Sequence, residues 1–292
     1  MQVMPIPTLN DSPADYIWLF KTLNQVINCT EGTCFTFLYC TNLSPSAIAF
    51  IGGLVRLAEH KNIIIRFDWT TLINANVSRE LRQNGFAVKF GYTSHGWTSD
   101  NSIPYREDAI QEPDQILDYL TDRWIGRDWM RISERLRDSI VGRVWEIYAN
   151  SFEHGQSPVG VFTCGLHSAT RNELILSVVD FGFGIPNKIY DFLQQNPKTS
   201  QILPSSLLAW AFKRGNTTGR DGVARGLGLD LLNEFVRLNE GSLEIYSNNA
   251  YAIVDKTGQR FQDNDVEFSG TVVQIKLKCD EKYYRFRDEI GS

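Results

Sequence analysis

Glu146-Ile147-Tyr148-Ala149-Asn150-Ser151-Phe152-Glu153-His154-Gly155 closes a long periodic stretch of the chain. Trp129, Ile132, Leu136, Ile140 and Val144 upstream, with Tyr148 inside it, recur close to every 3.6 residues, which predicts an amphipathic helix over about 127–153. Gly155 and Pro158 end it. Glu146, Asn150 and His154 stand four apart and therefore share one stripe of that helix. Two readings fit such a stripe. One is a solvated polar face. The other is a site, in which Asn150 gives an oxygen to Mg²⁺, a hard cation that keeps much of its water, and Glu146 takes a proton from an attacking water.

Working outward, apolar runs predict strands at 159–166 and 173–180, then helices at 205–213 and 227–238, then a terminal meander of strands at 242–247, 250–255 and 271–278. This order suggests helices on one face of a mixed sheet. The stretch between the second strand and the 205–213 helix reads as a glycine-rich turn followed by irregular chain. That turn is Asp180-Phe181-Gly182-Phe183-Gly184-Ile185-Pro186. Its alternate glycines let the backbone approach a ligand and take positive φ, and an Asp at a strand end can accept a hydrogen bond from an amino group; an ordinary turn is the plainer reading. Gly222-Val223-Ala224-Arg225-Gly226-Leu227-Gly228-Leu229 opens the 227–238 helix. Free N–H groups and the helix dipole favour phosphate there, and Arg225 adds a full charge. It is not a GxxxxGK[ST] loop, and no βαβ unit surrounds it as a dinucleotide fingerprint requires.

In the first ninety residues, 34–40 and 63–69 read as strands and 86–90 as a third. Between them lies a helix capped by Ser44 with Pro45 at its first position, and a short helix at 78–84 closed by Gly85. The sum is a small βαβαβ unit. The polar, turn-rich stretch 93–115 marks a boundary near residue 105, and a helix at 116–124 follows Pro113. Trp97, Trp124 and Trp129 near this junction are expected to pack the halves together.

The chain has 292 residues and a net charge of −5, without the basic excess that nucleic-acid or membrane-surface binders carry. Lys213, Arg214, Arg220 and Arg225 nonetheless stand against Asp221 alone within 213–225, which suits a small anion or a solvated loop. Five cysteines without a CxxC pair point to free thiols rather than a metal or disulfide framework. No signal peptide and no apolar run of membrane-spanning length are evident, so a cytoplasmic protein is expected.

Taken together and in this order, the motifs resemble those of the GHKL family of ATPases, which includes gyrase, heat-shock chaperones, histidine kinases and MutL. Residues 146–155 look like its N box, Asp180-Phe-Gly182-Phe-Gly184-Ile185 like its DxGxGI box, Arg225-Gly226-Leu227-Gly228-Leu229 like its second glycine box, and Gly270-Thr271-Val272 like its final box. The resemblance covers about 127–279. It implies an α/β fold class: a C-terminal α/β sandwich of the Bergerat ATP-binding type, a mixed sheet with helices on one face, spanning 106–292 and preceded by a small regulatory domain over 1–105.

Site roles follow from the same resemblance. Asp180 would accept the adenine amino group, aided by Thr271 through water, with Gly182, Gly184 and Ile185 shaping the adenine wall. Asn150 would hold Mg²⁺ on the phosphates, and Glu146 would be the general base. Gly226, Leu227 and Gly228 would offer N–H groups to the phosphates. Residues 187–225 would be a lid bringing Lys213, Thr218 and Arg225 to them. His154 would reach the phosphates or pack at the helix end.

Family membership does not choose a use. His60 and His95, the upstream histidines, lack the setting of a sensor-kinase phosphoacceptor. The gyrase and MutL types continue into a domain that supplies a Lys, whereas this sequence ends soon after the final strand. The Asn-Ser-Phe-Glu-His-Gly run is most similar to that of the anti-sigma-factor serine kinases, whose substrates have a STAS-like fold. The N-terminal unit is STAS-like in element order only. Ser44 and Ser78 could be phosphorylated but serve better as helix N-caps. The expected function is a Mg-dependent ATP-binding protein that hydrolyses ATP or transfers phosphate to a Ser/Thr of a protein partner in a regulatory role. The alternative is a nucleotide-gated interaction module. A protein partner is implied and a homodimer left open; nucleic acid and membrane are not expected as partners.

Overall fold

Ser12 starts the first helix through a reciprocal pair of bonds: its hydroxyl accepts Asp15 N at 3.4 Å, and Asp15 Oδ2 accepts Ser12 N at 2.9 Å. The computed structural model describes residues 1–93, 102–193, 202–213 and 230–289, with every side chain except that of His154. In chain order come β1 (Gln2–Pro5), α1 (Pro13–Ile27), β2 (Thr33–Thr36), α2 (Pro45–His60) and β3 (Ile65–Asp68). The strands pair in parallel in the order β1-β2-β3, which aligns Met4, Phe35 and Phe67 in one row of the core. Ser44 caps α2 as expected, its hydroxyl accepting Ala47 N at 3.3 Å.

A βαβαβ unit is therefore present, but it begins one strand earlier than the pattern suggests. β1 is too short for a period of its own. The third expected strand, 86–90, is instead α4 (Phe86–Lys89), following α3 (Ala75–Gln83). Gly85 sits at φ +85° just past α3, and Asn84 Oδ1 accepts Phe86 N at 2.9 Å, starting a new turn. That turn puts Phe86 and Phe90 on one face, both against Tyr105. Asn74 rather than Ser78 caps α3, through bonds from Asn76 N and Val77 N; Ser78 lies within the helix.

The chain continues through β4 (Ser102–Asp108), α5 (Pro113–Asp118), α6 (Glu134–Asn150), β5 (Val161–Ser168) and β6 (Glu173–Asp180). After these come α7 (Ile185–Leu193), α8 (Pro204–Ala211), α9 (Asp230–Leu238), β7 (Ser242–Asp255) and β8 (Gly258–Lys278). A wider helical segment, Tyr119–Ile125, extends α5, and a second, Ser151–Gly155, extends α6. α6 starts at Ser133, whose hydroxyl accepts Leu136 N, so Trp129 and Ile132 precede it. α7 occupies chain expected to be irregular. The meander expected as three strands is one long hairpin, β7 and β8, with a register shift at Ser247–Ala250.

Five strands form a sheet in the order β4-β5-β6-β8-β7, and every pair is antiparallel. The expected mixed sheet is thus corrected: tight hairpin connections such as those joining β5 to β6 and β7 to β8 run neighbours in opposite directions. The helices of the second half pack on one face, as expected, and α1 and α2 of the N-terminal unit cover the other. Leu174, Leu176 and Val178 of β6 pack with Ile140 and Val144 of α6 and Leu232 and Val236 of α9. On the opposite face Phe162, Val179 and Val272 share a core with Phe20 of α1 and Phe50 and Leu54 of α2. Ser46 of α2 ties this second face polar side to polar side, lying 2.8 Å from the Ser177 hydroxyl and accepting Gln274 Nε2 and Tyr16 OH. Residue 105 lies in β4, the first strand of this sheet.

Trp124 is fully buried in the core beside α6, and Trp129 stacks on His167 at 4.6 Å, so both serve the second half rather than the junction. Trp97 and His95 lie outside the described residues. All five cysteines are free thiols. Among the described residues no helix is long and apolar enough to cross a membrane.

Candidate functional site

Asp180 ends β6 with its side chain only 3% exposed, in register with Thr271 of β8, which in turn faces Ser247 of β7. The Ser151 hydroxyl, one residue beyond α6, donates to Asp180 Oδ2 at 2.9 Å. Gly182 N donates to Oδ1 at 2.9 Å. Burial pushes the Asp180 carboxyl up to about 6, while hydrogen bonds from Gly182, Ser151 and the Thr271 backbone pull the other way. A carboxylate has about four lone-pair positions, so capacity remains for one further donor.

Gly182 and Gly184 beside Asp180 are sterically required, whereas Gly155 has room for a side chain. A Cβ on Gly182 would sit 2.0 Å from the Gly155 carbonyl oxygen, and that same oxygen accepts Phe183 N at 2.6 Å. A Cβ on Gly155 would lie 3.4 Å from Asp180 Oδ1 and 3.9 Å from the Asn150 carbonyl oxygen. Gly184 takes φ +81°, and its missing side chain leaves room for Asn248 Oδ1. The end of α6 and the turn after β6 are thereby zipped together by small residues.

The turn is also held from β7. Ser247 Oγ accepts Ile185 N at 2.8 Å, donates to the Gly270 carbonyl at 2.9 Å and lies 3.0 Å from Thr271 Oγ1. Asn248 is 2% exposed; its Nδ2 donates to the Phe183 carbonyl at 3.1 Å and its Oδ1 accepts Asn187 N at 3.2 Å. Asn248 holds φ +49° where β7 loses register, which turns its side chain onto the loop.

Asp180, Gly182, Gly184, Ile185, Thr271 and the backbone of Asn150 therefore come together. Glu146 lies one turn earlier on α6, its side chain 37% exposed and bonded to Arg143 Nη1 at 2.5 Å. His154 falls in the wide turn after α6, and only its backbone is described. Lys213 is exposed beyond α8, its N–H on the Trp210 carbonyl, and no described contact joins it to this cluster. Thr218, Arg225, Gly226, Leu227 and Gly228 lie outside the described residues.

Ser151, Ser247 and Asn248 were not legible as site residues. Ser151 sits about 100° off the Glu146–Asn150 stripe, and Ser247-Asn248 falls at the expected end of the 242–247 strand. The local clues were a hydroxyl directly after Asn150 and a polar pair within an otherwise buried strand.

No protein-family model matches the sequence, and no curated protein matches it either.

Proposed function

We propose that the cluster around Asp180 is a purine-nucleotide site of the GHKL type, and that the protein binds ATP with Mg²⁺. The observation that carries this reading is the buried Asp180 carboxylate with acceptor capacity left, in a turn whose Gly182 and Gly184 pack directly against the Gly155 carbonyl and the Asn248 side chain. That free acceptor position suits an exocyclic amino group, which donates. Asn150 at the end of α6 would supply the oxygen for Mg²⁺, which stabilises charge on the phosphates when bound. The basic residues of 213–225 would neutralise the triphosphate.

The use proposed for this site is regulatory: hydrolysis of ATP, or phosphate transfer to a Ser/Thr of a protein partner, with Glu146 as base. The Arg143–Glu146 ion pair favours a second reading, a nucleotide-gated interaction module, because it engages the carboxylate that would have to take a proton from water. Calorimetry with a non-hydrolysable ATP analogue and Mg²⁺ tests the site itself. Asp180→Asn should weaken binding about tenfold or more, the scale of a charge-assisted hydrogen bond. Equal affinity in the two proteins would remove the adenine assignment.

A further inference from the structure

The turn that carries Asp180 and Gly182 is not free-standing. Phe181 between them is 5% exposed and points to the sheet face covered by the N-terminal unit. Its ring lies 5.1 Å from that of Phe50 on α2, 6.0 Å from Phe162 on β5 and 5.6 Å from Phe268 on β8. Phe268 precedes Gly270-Thr271, the other side of the candidate site. It stacks flat on Phe20 of α1 at 4.8 Å and meets Phe50 at 5.2 Å. Gly53 makes the fit tight: a Cβ there would lie 2.2 Å from Phe181 Cε2 and 2.6 Å from Phe162 Cδ2. Both halves of the proposed adenine pocket thus rest on one aromatic cluster, and Phe20 and Phe50 of the N-terminal unit complete it.

We infer that Phe181 and Phe50 are positioning residues for the nucleotide turn, and that docking of α1 and α2 is thermodynamically linked to nucleotide binding. This rests on the nucleotide reading of the site. A ligand that orders the 180–185 turn fixes Phe181, and a fixed Phe181 holds α2 through Phe50 and Gly53. Linkage is reciprocal, so whatever shifts α2 changes nucleotide affinity by the same factor. The N-terminal unit then regulates the site from behind, without touching the ligand. A close-packed core passes on such a shift because it has little slack to absorb it.

The experiment uses the full chain and a non-hydrolysable ATP analogue with Mg²⁺. Calorimetry establishes binding, and hydrogen exchange with and without the analogue reads where protection appears. The expected result is slowed exchange in α1 and α2 as well as in 151–155 and 180–185. Phe50→Leu should weaken analogue binding about tenfold and erase the added protection in α1 and α2. Phe35→Leu, in the same core but stacked on Phe67 instead, should keep affinity within about twofold. Should Phe50→Leu fail to fold, exchange in the wild-type chain still decides. Binding with α1 and α2 unchanged, or equal weakening by both variants, overturns the linkage alone. No binding at all overturns the nucleotide reading and the linkage together.

Discussion

Ser151 and Asp180 meet across 2.9 Å from 29 positions apart, one hydroxyl tying the end of α6 to the end of β6. Ser151→Ala removes a donor from a buried carboxylate. The fold should lose about 1–3 kcal/mol at neutral pH, as for any buried charged acceptor deprived of a partner. Urea unfolding reads the change, and a loss under about 0.5 kcal/mol would mean that water replaces the hydroxyl.

The Asp180 carboxyl titrates near 6, raised above the ordinary 3.8 by burial. A raised acid holds its proton more tightly in the folded state. Its contribution to stability is therefore full below the unfolded value and is lost as pH climbs through about 6. Wild type should lose stability relative to Asp180→Asn between about pH 4 and pH 6. Affinity for the ATP analogue should rise over the upper part of the same window, since the ionised form accepts the amino group more strongly than the neutral acid. The Asn variant controls for titration of the phosphates. Parallel stability curves for the two proteins would contradict the raised value.

Gly182→Ala drives a Cβ into the Gly155 carbonyl, so backbone must move. A cost of about 1–3 kcal/mol is expected, together with loss of analogue binding. Gly142→Ala is the contrast, since its Cβ meets nothing within 4 Å on the interior of α6. It should stabilise the protein by about 0.5–1 kcal/mol through helix propensity. Thermal melts of both variants settle the comparison.

Asn248→Ala deprives the Phe183 carbonyl and the Asn187 N–H of their side-chain partner. A loss of about 1–3 kcal/mol should follow, with faster hydrogen exchange concentrated in 183–190. Exchange unchanged there would show that the turn holds itself.

Glu146→Ala separates the two uses of the proposed site. If Glu146 is the base, phosphate release should fall about a hundredfold or more at unchanged analogue affinity. Identical rates in the two proteins would leave the interaction module standing.

Chemistry along single segments was readable before any fold was known. β6 spans Glu173–Asp180 as its apolar run predicts, and Ser44 caps α2 as its place before Pro45 predicts. Asp180, Gly182 and Gly184 stood out for the same reason, since spacing and backbone freedom are properties of neighbours in sequence; Thr271 entered only through the family resemblance. Other features rest on contacts between distant residues and carry no local mark. β1 exists because Gln2–Pro5 find β2 some thirty residues on. Phe86–Lys89 is a helical turn because Phe86 and Phe90 both reach Tyr105. Ser151, Ser247 and Asn248 become partners of one turn only when α6, β6 and β7 converge. Periodicity records which face of an element is buried; only the assembled core decides what lies against it.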